Sequence, residues 1–141
     1  MRAVVIYESL TGNTKKVAET IGDELRAAGA EVSVCPITAI DYQALSKAEL
    51  VAVGSWTDGI FVFGQRPGRA GRMQSLLPAM NGKKAVVFAT FALNPGKVLD
   101  KLTTLVSNRG AEVLGGMAIR RDDLQEGARD LAGRLLGVAN A

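Results

Sequence analysis

Residues 3–14 read Ala3-Val4-Val5-Ile6-Tyr7-Glu8-Ser9-Leu10-Thr11-Gly12-Asn13-Thr14. An unbroken apolar run comes first. Ser9 to Thr14 then supply three hydroxyls, a glycine and an asparagine, and Val17, Ile21 and Leu25 follow at helical spacing. A continuous apolar run of this length suits a strand covered on both faces. The hydroxyl-rich turn therefore joins a buried strand to the start of a helix. Such a helix end presents unpaired N–H groups and the positive end of the helix dipole, a ready place for a phosphate. Ser9, Thr11 and Thr14 would add hydroxyl donors. The same residue types also favour an ordinary helix cap, so the turn by itself leaves both readings open.

Outward from this turn the pattern alternates. Strands are expected over 2–7, 31–35, 50–53, 85–90 and 111–119. Helices are expected over 13–28 and 41–47, along Met73, Leu76, Leu77 and Met80, along Val98 to Val106, and along Leu124 to Leu135. Gly54 should end the third strand and open a long irregular loop from Ser55 to Gly68; were Pro67 to open a helix, Arg69 and Arg72 would lie close to its N-terminus. Asn94-Pro95 reads as a cap followed by a first-turn proline, and Gly115-Gly116 as a bulge or close approach. Apolar strands alternating with helices predict a three-layer α/β sandwich around a five-stranded parallel sheet of order 2-1-3-4-5, in one domain over 1–141. In such a sheet ligands bind at the carboxyl ends of the strands. Here that means the loops after the first, third and fourth strands.

Composition removes several kinds of chemistry. There is no histidine and one cysteine. That argues against zinc. It excludes a Ser-His-Asp or Cys-His mechanism and an internal disulfide, and no metal-ligating or catalytic side chain is assigned. Cys35, in an apolar strand, reads as a buried thiol. The longest apolar runs are five or six residues, against ~20 for a membrane helix. No signal-peptide pattern precedes the first strand; a cytoplasmic protein is expected. A net charge of +3 with a pI of 9.2 suits an anionic ligand or an acidic partner. It is too small and too dispersed to argue for nucleic acid. Neither G-x-x-x-x-G-K-[ST] nor G-x-G-x-x-G occurs, which argues against a nucleoside triphosphate or a dinucleotide held in the usual way.

The second loop, Gly54-Ser55-Trp56-Thr57-Asp58-Gly59, carries the single tryptophan of the chain. In a polar turn bounded by glycines it offers a flat face to a planar ring, with stacking worth about 0.5–1.5 kcal/mol beyond burial, or it only caps the edge of the core. The third loop runs Thr90-Phe91-Ala92-Leu93-Asn94-Pro95-Gly96-Lys97. Phe91 is a second possible ring face. Asn94 and the backbone amides could pair with the edge of a heterocycle, or Asn94 could serve only as a cap.

Taken together the three loops resemble those of flavodoxins, and the likeness covers the whole chain. Ser9-Leu10-Thr11-Gly12-Asn13-Thr14 is similar to the family's [ST]-x-[TS]-G-x-T phosphate loop, and Ser55-Trp56-Thr57-Asp58-Gly59 to its second flavin loop. The resemblance implies a flavodoxin-like fold and tightly but non-covalently bound FMN. It assigns Ser9, Thr11, Gly12, Asn13 and Thr14, with Leu10 between them, to the phosphate. Trp56 would stack on the ring, with Ser55 before it and Thr57, Asp58 and Gly59 near flavin N5. Phe91, Ala92, Leu93 and Asn94, within the loop from Thr90 to Gly96, would follow the pyrimidine edge. Flavodoxins are usually acidic, whereas this chain is basic. Thr57 stands where some members have a glycine, and a β-branched residue resists the positive φ that a peptide flip there would need.

Reduction adds negative charge to a flavin, and the third loop holds no carboxylate and ends in Lys97. A unit charge about 8 Å away is worth roughly 2 kcal/mol at an effective dielectric of ~20, so a potential less negative than that of an acidic flavodoxin is expected. The insert Ile60 to Arg72 places Phe61 and Phe63 ahead of Arg66, Arg69 and Arg72. It reads either as a solvated basic face or as the dock of an acidic redox partner near Phe61, Phe63, Arg66 and Arg69. An FMN electron carrier is the first functional expectation. An FMN-dependent oxidoreductase of the quinone-reductase or protoporphyrinogen-oxidase type is the second. A phosphoacceptor receiver would need acids after strands one and three; Glu8 meets the first condition and Gly54-Ser55 fails the second.

Overall fold

The computed structural model describes residues 1–58, 66–68 and 70–139. β1 (Arg2–Tyr7) lies between β2 (Glu31–Pro36) and β3 (Leu50–Asp58), and beyond β3 come β5 (Lys84–Phe91) and β6 (Glu112–Arg120). These strands are all parallel, and counted by themselves their order is 2-1-3-4-5, as the alternation requires. A two-residue strand, β4 (Arg66–Pro67), pairs antiparallel with the far end of β3.

Side chains alternate across β1 and divide the core in two. Val4 and Ile6 join Val51, Val53, Val87, Leu45, Met73 and Leu102 on one face. That face is covered by α2 (Tyr42–Lys47), α3 (Ala70–Leu76) and α4 (Val98–Ser107). Ala3, Val5 and Tyr7 join Ala52, Phe88, Val17, Ile21, Leu25 and Leu131 on the other, under α1 (Asn13–Ala27) and α5 (Leu124–Ala139). Each fully buried Leu or Ile contributes about 1.5–3 kcal/mol of transfer free energy. Continuous apolar strands are the signature of a sheet with both faces covered, and the three layers follow from them.

Several local expectations are corrected. β3 does not stop at Gly54. It runs on to Asp58, and Thr57 and Asp58 pair with Pro67 and Arg66, so the stretch after Gly54 begins as strand and not as irregular loop. Pro67 opens no helix. It faces Thr57 on an edge, where a missing N–H costs nothing, and the next pair carries the hydrogen bond, Gly68 N–H to the Trp56 carbonyl at 2.7 Å. α3 starts at Ala70 and ends at Leu76, because Leu77 precedes Pro78 and a residue before proline is pushed out of the helical region. Leu77 and Met80 are nonetheless buried, whereas Leu76 is exposed. Asn94 does not cap α4. Its Oδ1 accepts the Gly96 N–H at 2.9 Å, and the helix begins at Val98. At Gly115-Gly116 the close approach holds, since a Cβ on Gly116 would stand 2.8 Å from Val87 Cγ2, while the bulge lies one residue early: Ala85 faces Val113 and Val86 faces Gly115, leaving Leu114 as the extra residue.

Candidate functional site

The carboxyl ends of β1, β3, β5 and β6 open on one side of the sheet, where the chain order reverses. A cavity of about 180 Å³ lies there, lined by Ser9, Leu10, Thr11, Asn13, Thr14, Trp56, Thr57, Thr90, Phe91, Ala92 and Arg121. All three loops named from the sequence therefore reach one place.

The first wall is the turn into α1. Gly12 has φ of 98°, a left-handed conformation that a side chain would strain. The Ser9 hydroxyl oxygen accepts the N–H of Gly12 at 3.1 Å and of Lys15 at 3.3 Å. Ser9 thus caps the helix from outside, since the N-cap position is Gly12 and has no side chain to do so. Capping uses its lone pairs and leaves its O–H proton to donate. Thr14 is fully buried, and its hydroxyl shares a 2.8 Å hydrogen bond with that of Thr90. This bond ties the turn to the end of β5.

The second wall is the extension of β3. Ser55 is fully buried, and its hydroxyl donates to the Gly68 carbonyl at 3.1 Å. Trp56 lies against Gly68 so closely that a Cβ there would stand 2.0 Å from the indole Cε2. Among the described residues, two buried side-chain polar atoms lack a hydrogen-bond partner, Trp56 Nε1 and Thr57 Oγ1. Both belong to lining residues. Buried polar groups are almost always paired, so among the described residues these two orphans single out this wall.

The third wall is the half-buried pair Phe91 and Ala92. Leu93 is 80% exposed, and Asn94 and Gly96 are exposed; these three stand off the lining. Gly12 and Ser55 shape the site from behind it. The backbone of Asp58 pairs with Arg66, while Gly59 lies outside the described residues, as do Phe61, Phe63 and Arg69 of the expected dock.

Arg121 was not anticipated. It follows β6, and its N–H donates to the Phe91 carbonyl at 2.9 Å. The rule that placed ligands at the carboxyl ends of strands applies equally to the last strand, and that was the signal available. Arg72 also gains a partner that the sequence did not suggest. Glu8, only 3% exposed, takes both ends of the Arg72 guanidinium, with Nε to Oε2 at 2.9 Å. Donating these hydrogen bonds to the Glu8 carboxylate raises the Arg72 pKa. The pair neutralises a buried carboxylate next to the turn of residues 9–14. Cys35 is buried, and burial pushes its thiol up.

The flavodoxin domain profile matches residues 4–120. The chain belongs to the flavodoxin domain family. The flavodoxin-like domain-containing protein BilS of Clostridioides difficile (strain CD3) is 28% identical over 123 residues, covering 82% of this chain and 63% of that protein. The chain thus spans about three-fifths of the length of that curated relative. Among solved structures, oxidised flavodoxin 1 of Bacillus cereus is 25% identical with a TM-score of 0.72, over 97% of this chain and 98% of that one. A cysteine-to-serine mutant of the Pseudomonas aeruginosa flavodoxin shares the fold across 100% of both chains, with a TM-score of 0.76 at 18% identity. Flavodoxin domains hold a flavin and serve electron transfer, and this chain has their fold. No helix among the described residues is long and apolar enough to cross a membrane.

Proposed function

We propose that this chain binds FMN in the cavity described and passes electrons between redox partner proteins. The observation that carries the reading is the convergence of a helix-start turn rich in hydroxyls with two orphaned polar atoms on a tryptophan and a threonine. The residues fit the group. Ser9, Thr11, Asn13 and the first amides of α1 would hold the phosphate, with Gly12 giving the turn its shape. Trp56 and Phe91 would flank the ring. Thr57 Oγ1 would find a partner on it, and Thr90 would keep the two walls in register through Thr14. Bound FMN supplies one- or two-electron transfer at its ring.

A carrier is favoured over an FMN-dependent quinone-reductase type enzyme by the character of the lining. Arg121 is its one ionisable side chain among the described residues, and arginine does not give up a proton near neutral pH. The described lining therefore offers no general acid. A cytoplasmic location follows from the same reading. An acidic partner docking near Phe61, Phe63, Arg66 and Arg69 is supported by the net charge of +3.

The test is direct. Protein purified without added cofactor should be yellow, or should take up FMN stoichiometrically with quenching of its fluorescence. A colourless protein that leaves added FMN fluorescent overturns the reading. Steady turnover of a quinone by the loaded protein with a chemical reductant would move it to the enzyme class.

A further inference from the structure

The lining pairs neutral groups with one cation. Ser9, Leu10, Thr11, Asn13, Thr14, Trp56, Thr57, Thr90, Phe91 and Ala92 carry no charge, and Arg121 is the one charged side chain among the described lining residues. Its neighbours in sequence are engaged otherwise. Arg120 forms an ion pair with Asp122 at 3.5 Å, and the Asp123 N–H closes a turn onto the Arg120 carbonyl at 2.9 Å. No ion pair is recorded for Arg121, so among the described residues no carboxylate shares its charge. Its backbone N–H is bonded to the Phe91 carbonyl, which fixes its backbone beside the third loop.

We infer that Arg121 selects for the reduced ligand: it lines the cavity beside Phe91 and favours the added negative charge that a flavin takes on when reduced. The inference rests on the proposal that the ligand is FMN. Phe91 and Ala92 form the ring end of that site, and Arg121 is tethered to Phe91. Arg121 is exposed, so solvent screens part of its charge and its influence on the cavity is modest and short-ranged. The phosphate needs no such partner, because hydroxyls and helix amides serve it at the other end. Arg121 is a specificity-determining residue in this scheme and takes no part in bond making.

The experiment compares Arg121→Gln with the parent protein and with Arg120→Gln, which removes the same unit of charge from the side chain paired with Asp122. FMN affinity is measured by fluorescence titration in the oxidised state. The two-electron potential is measured by equilibration with reference dyes. Arg121→Gln should bind oxidised FMN within about threefold of the parent and reduced FMN about tenfold more weakly. A tenfold ratio between the two states is a fall of about 30 mV in the two-electron potential. Arg120→Gln should leave the potential near that of the parent, and Arg121→Lys should restore most of it. Equal weakening of both states would place Arg121 at the phosphate and overturn the inference while leaving FMN binding intact. An unchanged potential in Arg121→Gln, or an equal fall in Arg120→Gln, would overturn it as well. Failure of the parent to bind FMN would overturn the functional proposal first, and this inference with it.

Discussion

Gly68→Ala tests how the second wall is built. Gly68 is buried, and its N–H and carbonyl are both engaged, by Trp56 and by Ser55. A Cβ on it would stand 2.0–2.3 Å from Cε2, Cδ2 and Nε1 of Trp56. That distance is far inside van der Waals contact, and the ring is rigid, so either the indole or the backbone of residues 66–68 must move. Forcing an extra carbon into a packed site costs about 1–3 kcal/mol. Unfolding entropy is about 2.1 cal/mol/K per residue, and over 141 residues each kcal/mol then lowers Tm by about 3 °C. A fall of about 3–10 °C is expected. Trp56 is the single tryptophan, so intrinsic emission reports its surroundings alone. The emission should shift as the indole leaves Gly68, and FMN affinity should fall with it. Gly71→Ala is the matched control, because nothing lies within 4 Å of a Cβ there. Helix propensity should make it neutral to stabilising, by up to about 1 kcal/mol. A Gly68→Ala protein with the parent's Tm and an unshifted emission would refute the placement of the indole on Gly68.

Three further outcomes are expected. Thr14→Val should destabilise by about 1–3 kcal/mol in urea unfolding, because it leaves the buried Thr90 hydroxyl unpaired, whereas the double variant with Thr90→Val should recover most of that loss; simple additivity of the two would contradict a shared bond. Gly12→Ala meets no neighbour within 4 Å, yet must adopt φ near 98°, so it should cost about 1–2 kcal/mol from backbone strain alone and weaken phosphate binding, measured as FMN and inorganic phosphate affinity. Burial holds the folded Cys35 pKa above its ordinary 9.0. The stability this confers is complete below pH 9 and is lost as pH rises through the folded value. Urea midpoints should therefore be flat from about pH 7 to 8.5 and fall above pH 9, and the fall should be smaller in Cys35→Ala; an identical fall in both would discount the thiol.

Much of the fold was legible because apolar runs and helical spacing encode burial locally. The run from Ala3 to Tyr7 marks a strand covered on both faces, and Val17, Ile21 and Leu25 mark the helix above it. The errors fall where a residue with a familiar local signal is bonded otherwise in the fold, by a distant partner or a near one. Gly54 looks like a stop signal, but β3 continues because Trp56, Thr57 and Asp58 find backbone partners in residues 66–68. Asn94-Pro95 has the chemistry of a helix start, but the Asn94 side chain closes on Gly96 and α4 begins three residues after Pro95. In the candidate site the turn residues and Trp56 were visible as types in a pattern. Arg121 was not, because its relation to Phe91 exists only once β6 lies beside β5.

The sequence by itself determined the layers, the parallel sheet and the class of ligand site, since continuous apolar strands allow few arrangements and a hydroxyl-rich helix start favours an anion. The electrostatics of the site were left to the tertiary structure. Charge acts through distance. Folding set the Glu8 carboxylate against Arg72, 64 positions away, and brought Arg121, alone among the described charged residues, onto the lining. Along the chain these three charges are lost in a dispersed net excess of three positive charges. In the fold they are one neutralised pair next to the turn of residues 9–14 and one cation beside Phe91.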